Sequence, residues 1–494
     1  MFLGLDLGTS EIKSLLLDAQ GHVVATAKAP LSIQHPRPLW AEQSPSDWWV
    51  ALEAVMHDLQ RRHPRELAQL QGVGLAGQMH GAVLLDVNDR VLRPAILWHD
   101  SRSQAQCQQL TALVPDLHSI SGNLAMPGFT APKLLWMREH EPATFAQVRR
   151  VLLPKDWLRL RLSGEMVSDM SDAAGTLWLD TARRQWSDAL LGACGLDRSY
   201  MPRLIEGNDV SGFMRADLCQ RWGLPSRVPI AGGAGDNAAS AIGMGIISAG
   251  AGFVSLGTSG VVFVASDHFE PNPAQAVHAF CHALPQRWHQ MSVMLSAASA
   301  VTWAAKRLGY ENETELLADA AKLQPNAQDT APIFLPYLSG ERSPHNNPNA
   351  QAGWFGMTAS HGREHLAWSV AEGVGFGLRD GLLTLTRNSL DADLSLVGGG
   401  ARSVWWSQLL SHVLGQRLHI HAAGETAGAL GAARLGWLAA GALTADVCTP
   451  PPTTCVYEPD SSTHQRLAHR HQKFRALYSA LQNQFSLKQP VQES

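Results

Sequence analysis

The stretch FLGLDLGTS at residues 2–10 is repeated in part as FVSLGTS at residues 253–259. Both copies place Leu-Gly-Thr-Ser after an apolar run, and they lie about half of the 494-residue chain apart. In each copy an alternating strand meets a Gly-Thr-Ser turn and continues as a second strand, which is typical of a β-hairpin. A repeat at this spacing predicts two similar domains whose turns face each other across a cleft.

The two turns are candidate phosphate-binding elements. They expose backbone N–H groups and hydroxyls with little side-chain bulk, which suits phosphate oxygens. One such turn alone would indicate no more than a turn, but two copies at half-chain spacing favour a common ligand. Asp6 precedes the first turn, whereas Ser255 takes its place in the second. A single carboxylate can hold the Mg²⁺ that accompanies a nucleotide's phosphates, and a second would repel those phosphates.

Composition excludes several classes of protein. The chain has 39 Lys and Arg against 43 Asp and Glu, so it offers no broad basic face and no nucleic-acid partner is expected. No apolar run reaches the roughly 18 residues that cross a bilayer, so no membrane association is expected. The six cysteines form no C-x-x-C pair, and the N-terminus lacks the features of a signal peptide. These observations favour a cytoplasmic protein.

Two common nucleotide motifs are absent or unsuitable. No Gly-Lys dipeptide occurs, which excludes a P-loop. The string GVGLAG at residues 72–77 has the glycine spacing of a dinucleotide-binding turn, but residues 82–86 that follow are predicted to form another strand rather than a helix. We therefore reject the dinucleotide interpretation. Residues 72–76 instead predict a buried strand that ends at Gln78, Met79 and His80, where a sheet can present side chains to a ligand.

A second candidate segment follows the predicted strand at residues 228–231. Small residues lead from Gly232 to Asp236, which stands at the predicted N-cap of a helix beginning at Asn237. Asp236 is either only a capping residue or a carboxylate that faces the cleft, and the two roles can coexist. Residues 394–397 predict a further strand ending in glycines at 398–400. Those glycines fit either an adenosine lying against bare backbone or a tight strand–helix junction.

Two helices are predicted from apolar spacing. Residues 48–62 place Val50, Leu52, Met56 and Leu59 on one face. The run Pro450–Pro452 is expected to end the packed region. A last amphipathic helix follows, and the tail beyond Lys488 is expected to be frayed. The apolar residues of that helix are Leu467, Phe474, Leu477, Leu481 and Phe485.

Together these motifs resemble the FGGY carbohydrate kinases. The resemblance is carried by the paired turns, by GDNAA at 235–239 and by GGGARS at 398–403, and it spans about residues 1 to 440. Residues 128–136 and 352–372 resemble the two signatures of that family. His99 stands where Asn is expected, which bears on the identity of the substrate if that position touches sugar. Ala371 replaces a larger apolar residue, which we interpret as a packing change.

The resemblance implies an α/β fold in which two ribonuclease H-like domains form a duplicated actin/hexokinase-like structure with the active site in the interdomain cleft. Residues 1–246 would bind the sugar and carry the first phosphate turn. Residues 247–440 would carry the second phosphate turn and the adenosine site. Residues 441–494 would form a C-terminal helix and tail.

The resemblance also implies a role for each candidate residue. Asp236 would be the general base. Asp6 would be the catalytic carboxylate on the metal side, beside Mg²⁺. The substrate contacts would be Gln78, Met79, His80 and Asn237. The phosphates of ATP would rest on Gly8, Thr9, Gly257 and Thr258, with the adenosine near Gly399, Gly400 and Ala401.

The implied activity is transfer of the ATP γ-phosphoryl group to the terminal hydroxyl of an open-chain ketopentose, D-xylulose. Two alternatives stay open: a family member acting on another ketose such as ribulose or on a polyol, and an actin/Hsp70-like nucleotide switch that binds no sugar. The expected partners are the small-molecule sugar and ATP. A homodimer is expected from the family alone.

Overall fold

The computed structural model describes residues 1–385, 393–422 and 424–485, and its framework is two seven-stranded sheets, one in each half of the chain. The N-terminal sheet contains β1 Phe2–Leu7, β2 Glu11–Leu17, β3 Val23–Pro30, β4 Gly72–Gly77, β5 Val210–Phe213, β6 Pro229–Ala231 and β7 Ala234–Gly235. The C-terminal sheet contains β8 Gly252–Leu256, β9 Gly260–Ser266, β10 His278–Cys281, β11 Trp288–Met294, β12 Leu394–Val397, β13 Leu418–His421 and β14 Thr453–Tyr457.

The two sheets share one five-strand pattern. In the N-terminal sheet, β3, β2 and β1 are antiparallel neighbours, and β4 and β6 continue the sheet parallel to β1. In the C-terminal sheet, β11, β9 and β8 are antiparallel neighbours, and β12 and β13 continue it parallel to β8. Each half then adds an antiparallel strand, β5 on β6 and β14 on β13. The predicted duplication of an α/β fold is therefore confirmed.

The two Gly-Thr-Ser turns occupy the same place in the two sheets. In the first hairpin, Leu7 of β1 lies opposite Ile12 of β2. In the second, Leu256 of β8 lies opposite Gly260 of β9. The Leu-Gly-Thr-Ser repeat thus marks the first hairpin of each copy.

Helices surround these sheets. Those that the site depends on, and the longest of the others, are α1 Pro45–Arg62, α2 Thr130–His140, α3 Pro154–Ser163, α4 Met170–Ala174, α5 Asp236–Gly243, α6 Ala298–Leu308, α7 Glu313–Ala320, α8 Arg363–Thr384, α9 Val404–Leu414, α10 Ala427–Ala439 and α11 Ser461–Leu481. Shorter helices span Pro64–Leu67, Gln104–Leu113, Leu117–Ser121, Pro142–Phe145, Asp188–Ala193, Ala216–Trp222, Pro325–Thr330 and Thr444–Val447. Within the described ranges, no helix combines the length and the apolar character that crossing a bilayer would take.

Five small two-stranded sheets complete the fold. They pair Glu42–Gln43 with Ala95–Ile96, Val83–Leu85 with Arg150–Leu152, Val167–Asp169 with Arg203–Ile205, Leu179–Asp180 with Gln185–Trp186, and Ile333–Leu335 with Gly353–Phe355. The strand at 83–85 confirms that a strand, not a helix, follows the glycine string at 72–77.

Helix α1 forms as predicted, but its buried face differs from the prediction in one residue. Leu52, Met56 and Leu59 are buried in the N-terminal core, whereas Val50 is 64% exposed. Positions 50 and 52 lie about 200° apart around a helix axis, so they cannot share a face. The assignment of Val50 to the buried face is therefore wrong.

The prediction that the proline run ends the packed region is also wrong. Strand β14 begins directly after Pro452 and pairs with β13 at the edge of the C-terminal sheet. Helix α11 then buries Leu467 and Phe474 in the C-terminal core. Phe485 lies beyond the last residue of α11 but still packs against that core. The tail beyond Lys488 lies outside the described residues.

Helix α10 joins the two halves. It lies in the chain between β13 and β14 of the C-terminal sheet but packs on β1 and β4 of the N-terminal sheet and on α5. A Cβ on Gly4 would lie 1.9 Å from the carbonyl oxygen of Ala429, and one on Gly74 would lie 1.8 Å from that of Ala432. Only glycine permits such an approach of backbone to backbone. Gly74 of the GVGLAG string therefore makes room for a helix. This role supports the rejection of the dinucleotide interpretation.

The crossing of α5 and α10 yields a stability prediction. A Cβ on Gly431 would lie 1.7 Å from the carbonyl oxygen of Ala239, so Gly431→Ala forces the two helices apart. We expect a loss of about 2–3 kcal/mol in the free energy of unfolding, measured by thermal and urea denaturation. Gly192→Ala is the matched control, because its new methyl group meets nothing within 4 Å. That control should gain about 0.5–1 kcal/mol from the better helix former. Equal stability of the two variants would contradict the close crossing.

Candidate active site

Side-chain hydrogen bonds hold the first turn, at Gly8 and Thr9. The hydroxyl of Thr9 donates to Gln78 Oε1 at 3.1 Å and accepts from Trp98 Nε1 at 3.1 Å. Gln78 Nε2 donates to Gln43 Oε1 at 2.9 Å, and Gln43 Nε2 donates to the carbonyl oxygen of Thr9 at 2.7 Å. The amide of Gln78, predicted as a substrate contact, is thus engaged by the chain itself and holds the turn at Gly8 and Thr9. Neither Gln43 nor Trp98 was given a role from the sequence.

The second turn is held by the start of helix α6. The carbonyl oxygen of Thr258 accepts hydrogen bonds from the Ala297 amide at 3.0 Å and the Ser299 hydroxyl at 2.8 Å. The Gly257 amide donates to the carbonyl oxygen of Ser259 at 3.1 Å. The Thr258 side chain is exposed, whereas that of Thr9 is half-buried. The two turns have one topology but different surroundings.

Asp6 lies near the end of β1 with one oxygen unsatisfied. Within the part of the chain that the structure describes, its Oδ1 is buried and accepts no hydrogen bond. A Cβ on Gly428 of α10 would lie 2.6 Å from Asp6 Oδ2, so the helix covers the carboxylate closely. Burial raises the pKa of Asp6 to about 6, against the opposing effect of Lys13. A buried carboxylate oxygen without a donor suits a hard cation such as Mg²⁺.

Asp236 is the first residue of α5 rather than its N-cap. Gly235 occupies the N-cap position, because the extended backbone of β7 runs through it (φ −58°, ψ 152°) before the helix begins. Asp236 Oδ1 accepts from the Asn237 amide at 2.8 Å and from Asn237 Nδ2 at 2.9 Å. The N-cap assignment is therefore wrong. Among the described residues, the backbone amide that donates to the Asp236 carboxylate is that of the next residue, Asn237.

The charge of Asp6 affects the pKa of Asp236. The pKa of Asp236 is raised to about 6, mainly by burial and in addition by the negative charge of Asp6. The structure therefore brings together the two acids that the sequence separates by most of the N-terminal half. A carboxyl group with a pKa near 6 is ionised at neutral pH yet can take up a proton readily, which suits a general base.

His80 presents a neutral ring. Its backbone has a φ of 72°, a conformation uncommon outside glycine, and its Nδ1 lies 2.6 Å from the carbonyl oxygen of Gly175. Because a carbonyl only accepts, the proton resides on Nδ1 and Nε2 is left as an acceptor. Burial lowers the pKa of His80 to about 3, and the ring packs edge-on against Phe129 at 4.7 Å. Such a nitrogen can accept a hydrogen bond from a sugar hydroxyl.

Met79 forms an apolar surface between the two segments that carry polar groups. A Cβ on Gly235 would lie 2.9 Å from Met79 Cγ, and one on Gly175 would lie 2.8 Å from Met79 Cε. Met79 thus separates the segment that precedes Asp236 from the carbonyl group that orients His80. Gly175 received no role from the sequence.

A cavity of about 750 Å³ lies at the second turn. It is lined by Gly257, Thr258, Gly399 and Gly400, and its size is that of a drug- or nucleotide-sized ligand. Ala401 does not line it; its amide donates to the carbonyl oxygen of Gly398 at 3.1 Å in the turn beneath. Much of the wall comes from residues that the sequence did not indicate: Ala298, Val301, Thr302, Glu313, Leu317, Ala321, Trp405 and Trp406.

The two positions that depart from the family pattern are accounted for differently. Ala371 is fully buried on α8, and its carbonyl oxygen accepts from Trp406 Nε1 at 3.2 Å, so it belongs to core packing. His99 is exposed, and its ring lies 5.0 Å from that of Trp98 and 6.4 Å from that of His35. His99 therefore lies beside the residue that holds Thr9.

The duplicated topology is that of the actin/hexokinase-like architecture, in which two related domains enclose a cleft, and comparison with known proteins narrows this class to one family. The chain belongs to the FGGY family of carbohydrate kinases: the profile of the N-terminal domain of that family matches residues 1–243, and that of its C-terminal domain matches residues 252–440. A kinase of this family takes a sugar and ATP as substrates.

Individual relatives are similar over nearly their whole length. The xylulose kinase of Escherichia coli (strain K12) is 49% identical over 97% of this chain and 99% of its own length. The xylulose kinase of Klebsiella pneumoniae is 48% identical over the same shares. A crystal structure of a "xyloylose kinase" from Brucella ovis superposes with a TM-score of 0.94, at 46% identity over 98% of this chain and 99% of that one.

The raised pKa of Asp236 yields a prediction about stability and pH. Its pKa is about 6 in the folded chain, against about 3.9 in an unfolded one. Folding is therefore penalised as pH rises from about 4 through about 6, and the penalty is complete above that range. Asp236→Asn removes it, so the ligand-free variant should be more stable at pH 7 by on the order of 1–2 kcal/mol.

The measurement is the midpoint of thermal unfolding between pH 4 and pH 8. The gain should shrink as pH falls towards 4, because the carboxyl of the folded parent is then protonated and that of the unfolded chain is about half protonated. Asp267→Asn, the same change at an exposed site, should show no gain. A variant less stable than the parent at pH 7 would contradict the buried, charged state of Asp236.

Proposed function

We propose that the chain is an ATP-dependent xylulose kinase, which transfers the γ-phosphoryl group of ATP to the terminal hydroxyl of D-xylulose and yields D-xylulose 5-phosphate and ADP. The observation that carries the proposal is the 49% identity to a xylulose kinase over 97% of the chain. The pair of coupled carboxylates and the neutral His80 support it, since they provide a base and a hydroxyl acceptor.

In this proposal Asp236 is the general base. As the bond between the sugar oxygen and the γ-phosphorus forms, the carboxylate takes the hydroxyl proton, and the bond to the bridging oxygen of ADP breaks. Both hydrogen bonds from Asn237 end on Asp236 Oδ1. In the proposal, Oδ2 is the oxygen that takes the proton. Asn237 then orients the base, while Met79 and His80 bind the sugar and Gln78 supports the turn beside it.

The phosphates of ATP are proposed to rest on the turns at Gly8–Thr9 and Gly257–Thr258. The adenosine is proposed to occupy the 750 Å³ cavity beside Gly399 and Gly400, with Ala401 supporting that turn. Asp6 is proposed as the residue on the metal side, because its buried Oδ1 has no donor among the described residues. Mg²⁺ held there would neutralise negative charge on the phosphates.

The domain assignments follow from these roles. Residues 1–246 are proposed to bind the sugar and the first phosphate turn, and residues 247–440 the second phosphate turn and the adenosine. Residues 441–494 are proposed as a C-terminal helix and tail, of which 486–494 lie outside the described residues; β14 within this range pairs with β13 of the C-terminal sheet. A cytoplasmic location is proposed because the six cysteines are unpaired and five are buried, as is typical of a reducing compartment. A homodimer would have twice the 53.5 kDa mass of the chain in solution.

The role of Asp236 is tested by Asp236→Asn. The amide keeps the size of the side chain but cannot take the hydroxyl proton, so turnover should be abolished. The binding of ATP and sugar should remain nearly intact by equilibrium titration. Asp267→Asn should keep the parental turnover, because it makes the same change at an exposed position. Retained turnover in Asp236→Asn would exclude it as the base.

The choice of substrate is tested by the release of ADP, coupled to an indicator enzyme, with a panel of ketoses and polyols. D-xylulose should stimulate the release strongly and should have the highest kcat/KM of the panel. A higher kcat/KM for ribulose or a polyol would reassign the substrate within the family. Equal rates with and without any sugar would favour a nucleotide switch instead.

A further inference from the structure

Five charged side chains that take no part in the proposed reaction are buried together beneath the site. Lys155 Nζ lies 2.6 Å from Asp156 Oδ1, 2.6 Å from Asp169 Oδ2 and 2.9 Å from Asp172 Oδ2. Arg159 Nη1 also bonds Asp156 Oδ1, at 2.7 Å. The three carboxylates have the spacing of a cation site, but the ammonium group already lies among them. Because every one of these side chains is 0% exposed, the cluster is a rigid internal structure.

One branch of this cluster reaches the backbone that carries Asp236. Asp169 Oδ1 accepts hydrogen bonds from the Ser171 hydroxyl at 2.5 Å and the Ser171 amide at 2.9 Å. The Ser171 oxygen in turn accepts from the Gly235 amide at 3.1 Å. Gly235 is the residue directly before Asp236, so a buried side chain holds the peptide from which the carboxylate projects.

A second branch holds the other end of the same segment. Arg159 Nη2 donates a hydrogen bond to the carbonyl oxygen of Gly232. The segment from Gly232 to Gly235 contains only small residues, and Gly233 has a φ of 76°. Its side chains are too small to anchor it, so it is held through its backbone: β7 pairs with β4, and the hydrogen bonds with Arg159 and Ser171 hold its two ends.

The same short helix also orients His80. Ser171 lies in the first turn of α4, and Gly175, which follows α4, accepts the hydrogen bond from His80 Nδ1. Asp169 is the N-cap of that helix and accepts from the amides of Ser171 and Asp172. Helix α4 thus connects the base and the sugar-binding histidine, which are far apart in the sequence.

We propose that Ser171 is a positioning residue for phosphoryl transfer: its hydroxyl, aligned by Asp169, holds the Gly235 amide and thereby sets the place of Asp236. This inference rests on the proposed role of Asp236 as the general base. Ser171 touches neither sugar nor ATP in this account and acts through Gly235. Since a displacement of about 1 Å in a reacting group can cost about 100-fold in rate, the loss of this hydrogen bond should reduce the chemical step rather than binding.

Ser171→Ala and Ser168→Ala form a matched pair. Both serines are buried, and both changes remove one hydroxyl. Among the described residues the Ser168 hydroxyl has no hydrogen-bond partner, whereas that of Ser171 joins Asp169 to Gly235. We expect Ser171→Ala to lower kcat by roughly 10- to 100-fold with both KM values within about threefold of the parent. Ser168→Ala should keep the parental kcat and KM.

A conservative variant separates positioning from mere support of the fold. Ser171→Thr restores a hydroxyl at the same atom and should recover most of the lost kcat. If Ser171→Ala yields no folded protein, Ser171→Cys keeps a similar side-chain volume with a much weaker acceptor and replaces it in the comparison. A kcat equal to that of Ser168→Ala, or no recovery in Ser171→Thr, would overturn the role of Ser171.

Asp236→Asn is measured in parallel, so that failure of this inference can be told apart from failure of the proposed function. Loss of turnover in Asp236→Asn with parental kcat in Ser171→Ala would overturn only the positioning role. Retained turnover in Asp236→Asn would overturn the general base and with it the role of Ser171.

Discussion

The direct contact of helix α10 with the N-terminal sheet is the constraint on which the rest of the structure depends. The helix belongs by sequence to the second copy of the fold, yet its backbone lies against the backbone of β1 and β4. This contact requires glycine at Gly4 and Gly74, where any side chain would collide with a carbonyl oxygen. It also brings Gly428 against Asp6 and sets α10 across α5, whose first residue is Asp236. The junction of the two halves and the position of both acids are therefore one structural problem.

Placing two carboxylates in this junction is unfavourable for folding and useful for chemistry. Burial raises the pKa of both Asp6 and Asp236 to about 6, with the charge of Asp6 adding to the effect on Asp236, so each is ionised at neutral pH only against a penalty. A cation that binds a buried carboxylate, or a hydroxyl group that donates to it, offsets that penalty. His80 shows the opposite arrangement: burial keeps its ring neutral, and the Gly175 carbonyl fixes which nitrogen can accept. The cleft thus holds charged acids beside a neutral acceptor.

The sequence predicted the framework because the framework depends on local pattern. The repeated turns, the strands that flank them and the glycine-rich strand ends all follow from short stretches of chain, and the structure has them where expected. The errors concern contacts that local pattern does not determine. Val50 was assigned to the buried face by its hydrophobicity, but its position on the helix exposes it. The proline run was expected to end the packed region, but β14 and α11 continue that region beyond it. The cavity walls from α6 and α7 mix apolar residues such as Val301 with polar ones such as Glu313, and the mixture has no diagnostic spacing. The carbonyl that orients His80 lies 95 residues away, and no motif predicts that pairing.

The difference between the two copies explains why duplication alone does not define the site. Asp6 and Ser255 occupy equivalent positions before the two turns, but the hairpins pair differently: Leu7 lies opposite Ile12 in the first, and the equivalent Leu256 lies opposite Gly260 in the second. If the phosphates of ATP rest on both turns as proposed, two acids there would place like charges on both sides of them, whereas one acid leaves a polar, uncharged second side. The first turn is held by Gln78 and Trp98, and the second by the start of α6. The same hairpin therefore has different surroundings in the two copies, in a chain whose net charge is only −4. A phosphorylated ligand needs no basic surface here, because two neutral turns, a cation and one well-held acid can supply the charge balance locally.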